Sequence, residues 1–141
     1  MKAVNYSEGK VNILNVPKPS GDGIIVNISS CGICGTDMDL LKNKGHFSHI
    51  AGHEMSGRLE DGTLVAIEPL DYCGDCPECA SGSYNLCSND KFEMIGLTSN
   101  GGMAEQLIVP EHCIVKLNQE IDTKTSCLIE PIAVAVHGYV I

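Results

Sequence analysis

Basic residues are scarce in this chain of 141 residues, where 9 Lys and Arg stand against 18 Asp and Glu and give a formal net charge of −9. Nucleic acids and anionic membrane surfaces are bound through clustered Lys and Arg side chains, so this balance argues against both as partners. Long apolar segments are also missing. The longest uninterrupted run covers residues 132–136, far less than a membrane span, and the first ten residues contain no signal-peptide core. We therefore expect a cytoplasmic protein.

Aromatic residues make up only 4% of the chain, with no tryptophan, whereas glycine occurs 15 times and proline 6 times. This composition is typical of many turns and short strands rather than of a helical bundle. Helices are expected over residues 37–44, with Thr36 as the N-cap, and from residue 122 to the end of the chain. The Asp61-Gly62 pair predicts a tight primed turn in a hairpin. Strands are predicted at residues 2–6, 11–16, 23–28, 53–60, 63–67, 102–109 and 114–117. The fold class that follows is a mainly β barrel with short helices.

Four of the eight cysteines are concentrated in residues 72–90, a segment with almost no hydrophobic periodicity. Zinc takes four thiolates at tetrahedral corners, and Cys-x-x-Cys turns deliver two sulfurs to one ion. With all four positions held by thiolate no position is left for a substrate, so we predict a structural zinc. An iron–sulfur cluster is the alternative metal group, but the spacing fits no common ferredoxin pattern, and disulfides are not expected in a reducing compartment. The predicted ligands are Cys73, Cys76, Cys79 and Cys87.

A second group of candidate ligands lies on separate segments, with Cys34 in one and His53 followed by Glu54 in another. Catalytic zinc sites use three protein ligands and keep a fourth position open, so a Cys, a His and a carboxylate brought together by folding would suit such a site. Alternatively, Cys31 pairs with Cys34 in a second Cys-x-x-Cys site.

The remaining cysteines and two of the histidines are interpreted as structural. Cys113 and Cys127 are expected to be small buried residues. His112 and His137 are expected to be ordinary polar residues at the ends of elements.

Several motifs follow one another in a family-specific order. They are ICGTD at residues 33–37, GHE at 52–54, the four-cysteine segment, NGGMAEQLIVP at 100–110 and LIEPIAVAVHG at 128–138. On these motifs the chain resembles the zinc-dependent medium-chain alcohol and polyol dehydrogenases, in particular the sorbitol and threonine dehydrogenase branch. The resemblance implies a GroES-like catalytic domain over residues 1–141. This domain would include a zinc lobe at residues 72–90 and the start of an interdomain helix at residues 122–141, with a Rossmann domain after it.

The resemblance also implies the ligands of a catalytic zinc. Cys34 matches the thiolate ligand, His53 the imidazole ligand and Glu130 the third ligand of the polyol branch. Glu54 resembles a carboxylate that exchanges with water as a ligand. Together with the four-cysteine lobe, this gives two zinc ions per chain, one catalytic and one structural.

Further residues are given catalytic roles by the same resemblance. Asp37 would orient the zinc-bound histidine, and Thr36 would bond the substrate alcohol and pass its proton outward. Many relatives have a histidine of the proton relay where this chain has Asp39, and His46 or His49 could take its place.

The function implied is oxidation of an alcohol, namely a polyol, a secondary alcohol or an L-threonine-like compound, through a zinc alkoxide and hydride transfer to NAD or NADP. The full-length enzyme is expected to be a homo-oligomer that binds a small-molecule substrate. No GxGxxG motif follows a strand here, so we interpret the chain as a fragment that is inactive without its coenzyme domain. Two other classes stay open: a non-catalytic zinc-stabilised binding module, and a cysteine-based zinc store or redox sensor.

Overall fold

A computed structural model describes residues 1–44 and 47–140. Three helices and three short 3-10 helices are found among nine strands. The helices are α1 (Gly35–Lys42), α2 (Pro77–Ala80) and α3 (Ile129–Val140), and the 3-10 helices are Tyr84–Leu86, Glu111–Cys113 and Ser126–Leu128. The strands are β1 (Lys2–Ser7), β2 (Lys10–Asn15), β3 (Ile24–Cys31), β4 (Met55–Arg58), β5 (Leu64–Ile67), β6 (Leu70–Asp71), β7 (Glu93–Met94), β8 (Gln106–Val109) and β9 (Ile114–Lys116).

A five-stranded antiparallel sheet in the order β8-β3-β4-β5-β9 curls into a half-barrel and carries the main core. All four residues of β5 are buried, which explains why this strand is continuously apolar rather than alternating. The mainly β fold class is therefore confirmed. The core residues are Val26, Met55, Val65, Ile67, Ile95, Leu107, Val109 and Cys113.

A bulge in β3 directs the chain towards the first candidate ligand. Ile28 pairs with Gly57 and Ser30 with Ser56, so Ser29 is an extra residue with no partner on β4. Such an insertion bends a strand and changes where the following side chains point. The strand then ends at Cys31, and α1 begins four residues later.

The N-terminal hairpin holds the segment that precedes His53. β1 and β2 are joined through Glu8 and Gly9, both at positive φ (54° and 74°), which is the conformation of a type I′ turn. The amide of Ala51 donates to the carbonyl of Val4 at 2.9 Å, and the amide of Val4 donates to the carbonyl of Met103 at 2.8 Å. β1 therefore ties the chain around residue 51 to the chain around residue 103.

Two predictions about a cap and a turn were wrong. The N-cap of α1 is Cys34 and not Thr36. The Asp61-Gly62 turn is not primed, because Asp61 lacks a positive φ. Instead, Gly62 (φ 87°) donates its amide to the carbonyl of Leu59, as in a three-residue loop with a glycine bulge.

The last helix begins later than predicted. Residues 122–125 form a turn, and helical structure starts only at Ser126. None of the helices in the described ranges has the length and apolar character needed to cross a membrane.

Candidate metal centres

The four cysteines of the lobe bring their sulfur atoms to one point. The Sγ–Sγ distances are 4.0 Å for Cys73–Cys79, 3.9 Å for Cys76–Cys87 and 3.6 Å for Cys73–Cys87, and all four sulfurs lie within 4.8 Å of one another. Tetrahedral zinc with Zn–S bonds of about 2.3 Å requires sulfur atoms roughly 3.8 Å apart. All four thiols are free of disulfides, so the set fits a tetrahedral ion.

The lobe delivers these sulfurs through tight turns and one short helix. Gly74 has a φ of 81°, so it makes the turn between the first two cysteines at no steric cost. Cys76 is the N-cap of α2, with Pro77 in the first turn, and its Sγ accepts the amide of Cys79 at 3.5 Å. The backbone bond from Cys79 is the largest cause that lowers the pKa of the Cys76 thiol, to about 7.

The second centre is built on the N-terminus of α1. The Sγ of Cys34 lies 3.0 Å from Nε2 of His53 and accepts the amide of Thr36 at 3.2 Å. In return, Oδ2 of Asp37 accepts the amide of Cys34 at 2.9 Å, which completes a capping box in which a cysteine replaces the usual hydroxyl residue. Potential ligand atoms of Cys34, Asp37 and His53 lie within 4.8 Å of one another.

Two buried polar atoms in this centre lack partners. Asp37 is only 1% exposed, and its Oδ1 has no hydrogen-bond partner in the described part of the chain. The same holds for Nδ1 of His53. Buried polar groups are almost always satisfied, so a functional explanation is needed. The Cys34 sulfur faces Nε2 of His53, so Nδ1 is left free to bond a carboxylate, as in a metal-binding histidine that is oriented by a carboxylate.

Glycines fix the backbone on both sides of His53. Gly52 has a φ of 97°, and a Cβ atom here would overlap the sulfur of Cys31. The amides of Gly101 and Gly102 donate to the carbonyls of Ile50 and Gly52, each at 2.8 Å. The NGG motif therefore supports the GHE motif.

Glu54 and Glu130 are the other two carboxylates that the sequence predicts as ligands of the second centre. Within the described ranges, the group of ligand atoms around Cys34 includes neither of them. The Glu54 carboxylate packs against the Cα of Gly32. Burial raises the pKa of Glu130, and the charge of His53 opposes that shift. Their roles as ligands stay predictions.

A chain of serine hydroxyls, which the sequence did not reveal, anchors the segment before Glu130. Ser30 Oγ lies 2.9 Å from Ser56 Oγ and 2.7 Å from the carbonyl of Thr123, while Ser56 Oγ lies 2.6 Å from Ser126 Oγ. Each hydroxyl has one proton, so all three donate if the chain runs from Ser126 through Ser56 and Ser30 to the Thr123 carbonyl. This network joins β3 and β4 to the 3-10 helix that leads into α3.

A third grouping, also missed, lies at the base of the lobe. Nε2 of His112 lies 3.0 Å from Oδ1 of Asp71, and the imidazole packs on Tyr72 with a centroid distance of 4.6 Å. Cys113 is fully buried as predicted, and its Sγ lies within 4.8 Å of potential ligand atoms of both Asp71 and His112. The sequence did not predict this grouping, because the spacing of His112 and Cys113 does not indicate that a carboxylate some 40 residues earlier lies beside them.

Of the candidate relay residues, the structure describes Asp39 and His49. Asp39 is exposed. His49 packs edge-on against Phe47, with ring centroids 6.0 Å apart, and His46 lies outside the described residues.

The half-barrel, the four-thiol lobe and the Cys–His–Asp cluster together define a domain built around two potential metal centres. Residues 20–119 match the alcohol dehydrogenase GroES-like domain. Because this match covers most of the chain, the protein belongs to the alcohol dehydrogenase family with a GroES-like domain. The resemblance inferred from the sequence motifs is thereby confirmed.

Relatives in this family are sugar-alcohol and sugar-acid dehydrogenases. Galactitol 1-phosphate 5-dehydrogenase of Escherichia coli strain K12 is 33% identical, over 96% of this chain and 43% of the relative. L-galactonate-5-dehydrogenase of the same strain is 36% identical, over 87% of this chain and 39% of the relative. The chain thus spans about two-fifths of their length.

Solved structures agree on the fold. The crystal structure of galactitol-1-phosphate dehydrogenase from Escherichia coli superposes with a TM-score of 0.87 at 33% identity, over 97% of this chain and 44% of that chain. A zinc-binding dehydrogenase from Sinorhizobium meliloti 1021, bound to NADP, gives a TM-score of 0.80 at 33% identity, over 98% and 44% of the two chains.

Proposed function

We propose that this chain forms the catalytic domain of a zinc-dependent NAD(P) oxidoreductase that oxidises an alcohol. The observation that carries the proposal is the contrast between the two centres. The four thiols of the lobe form a closed set, whereas Cys34 and His53 offer two ligand atoms 3.0 Å apart with the buried carboxylate of Asp37 nearby. A closed set suits a structural ion and an incomplete set suits a catalytic one.

Each residue of the second centre has a distinct role in this proposal. When bound there, zinc supplies a Lewis acid that lowers the pKa of a coordinated hydroxyl group. Cys34 and His53 hold the ion, and Glu130 or Glu54 completes the protein ligands. Thr36 is exposed and its amide contacts the Cys34 sulfur; in this proposal its hydroxyl accepts the substrate proton and passes it to solvent.

Asp37 positions the imidazole. A hydrogen bond from Nδ1 of His53 to Oδ1 of Asp37 would satisfy both unpartnered atoms and would direct Nε2 at the ion. Such bonds are often loose in the free protein and tighten in the loaded site.

The coenzyme is assigned to a separate Rossmann domain, because no strand here is followed by GxGxxG. In this proposal α3 is the interdomain helix. Ile132 and Val136 are 58% and 56% exposed, and Tyr139 is 91% exposed. An apolar surface of this kind suits burial against another domain.

Metal titration tests the proposal. Cobalt added to the metal-free chain should bind at two equivalents and give two sets of thiolate charge-transfer bands, because Co²⁺ accepts the ligands of Zn²⁺. The Cys34→Ser variant should lose only one equivalent, and the matched Cys76→Ser variant only the other. If the wild-type chain binds only one equivalent and Cys34→Ser binds that same equivalent, the catalytic centre is refuted and a zinc-stabilised binding module is favoured.

A further inference from the structure

A cavity of about 540 Å³ lies between the end of β5, the lobe and α3. Residues 66–70 line it, together with Tyr84 and Asn85 of the lobe and Val134 and His137 of α3. The volume falls in the range of small-molecule sites. Most lining residues are apolar and a few are polar, which is the usual composition of a site that binds and orients a ligand.

The cavity is connected to the proposed reaction through Glu130. This residue lines the cavity and is a candidate ligand of the second centre in the proposed function. A ligand in the cavity would therefore reach the region where the proposed reaction takes place.

The charge of the cavity is negative. Glu68 and Glu130 both line it, and none of its described lining residues is a Lys or an Arg. Burial raises the pKa of both Glu130 and Tyr84, and the Glu68 carboxylate raises each further, which places Glu68 near both groups. A metal ion held by Glu130 would offset that residue's charge. Glu68 has no such partner, so its charge would act on the ligand.

We propose that this cavity binds an uncharged polyol, with Glu68 accepting hydrogen bonds from its hydroxyl groups, and that it discriminates against phosphorylated polyols. The inference rests on the proposed function. A carboxylate is an acceptor only and suits a ligand rich in hydroxyl donors. The same carboxylate repels a phosphate dianion, and a like charge in the site is an effective means of rejecting the wrong ligand. The chain would then differ from its relative that is named for galactitol 1-phosphate.

Equilibrium binding to the zinc-loaded chain tests this inference, with galactitol and galactitol 1-phosphate as probes and amide chemical shifts of Tyr84, Asn85 and Val134 as the readout. Galactitol should bind at least about tenfold more tightly than its phosphate ester, because the dianion meets uncompensated negative charge in a partly desolvated site. Glu68→Gln should weaken galactitol binding about threefold or more, improve binding of the ester and bring the ratio close to one.

Glu120→Gln is the matched control, because it removes the same charge from an exposed residue outside the cavity and should leave the ratio unchanged. Thermal unfolding of each variant checks that the fold is intact. Equal or tighter binding of the ester, an unchanged ratio in Glu68→Gln, or no binding of either probe overturns the inference. Metal content is measured on the same samples. The proposed function requires two bound ions whichever polyol binds, so two ions without the expected selectivity would overturn only the present inference.

Discussion

Replacing Gly101 by alanine should destabilise the protein and displace His53. The φ of Gly101 lies outside the left-handed region, so alanine meets no backbone strain and the effect is purely steric. The new Cβ would overlap the carbonyl oxygen of Gly52 and the Cα of Gly96, and it would lie 2.8 Å from the carbonyl oxygen of Ala51. All three are backbone atoms, which cannot rotate away as a flexible side chain would.

The expected loss in the free energy of unfolding is about 1–3 kcal/mol, the usual result of overpacking. The displaced backbone is the one that carries His53, because Gly52 precedes it directly. Catalytic and metal-binding geometries tolerate only about 0.5 Å of movement. We therefore expect the cobalt affinity of the Cys34–His53 centre to fall, while the affinity of the four-cysteine lobe stays unchanged.

Urea unfolding and cobalt titration of the same variant measure both effects. Gly138→Ala is the matched control, since a Cβ there meets nothing within 4 Å and alanine favours a helix by about 1 kcal/mol. The steric argument is wrong if the free energy of unfolding of Gly101→Ala lies within about 0.5 kcal/mol of the wild-type value, which is the range of ordinary surface substitutions. It is also wrong if the variant binds cobalt as tightly as the wild type at both centres.

Three more predictions follow from the contacts described above. Ser56→Ala should cost about 1–3 kcal/mol in urea unfolding, because it removes two hydrogen bonds of a buried hydroxyl of about 0.5–1.5 kcal/mol each, while Ser30 and Ser126 keep the carbonyl of Thr123 as a partner; a loss below about 0.5 kcal/mol would contradict the hydroxyl chain. Asp37→Asn should keep α1 capped but weaken cobalt binding at His53 about 10–100-fold, the usual effect of removing a carboxylate behind a ligand, and unchanged affinity would exclude the positioning role. Burial raises the pKa of the Cys113 thiol from 9.0 to about 12, so the folded state keeps a proton that the unfolded state releases. Stability from this group is complete below pH 9 and is lost as the pH rises towards 12, so the urea midpoint of the wild type should fall more steeply over this interval than that of Cys113→Ala.

Local sequence signals predicted seven of the nine strands found in the described residues and missed the two-residue strands β6 and β7. The spacing of the four cysteines predicted one shared ion, and their sulfurs do gather within 4.8 Å of one another. β5 was found close to its predicted position because its apolar run is short and bounded by turn residues.

Prediction from the sequence failed for features that depend on a long-range contact or on an unusual helix cap. Cys34 caps α1 although hydroxyl and carboxylate residues are the usual caps, so Thr36 was the better guess by propensity. Ser30, Ser56 and Ser126 meet only because the β3 bulge turns Ser30 towards Ser56 on β4 and the segment after Thr123 packs beneath the sheet. No local pattern encodes that meeting.

In both centres one cysteine is the N-cap of a helix, but the contacts that support the two helices differ. Around Cys34, α1 has a buried Asp37 and packs Leu40 and Leu41 against Tyr6 and Phe47. The ligand pair is therefore organised by the core of the protein. Around Cys76, α2 has only four residues and none of them is buried, so the lobe has no apolar core to hold its sulfurs. Metal binding supplies folding energy where a core is missing, and it supplies chemistry where the core already holds the ligands in place. This difference in support, more than the ligand types, is the physical reason to assign a structural ion to the lobe and a reactive one to Cys34 and His53.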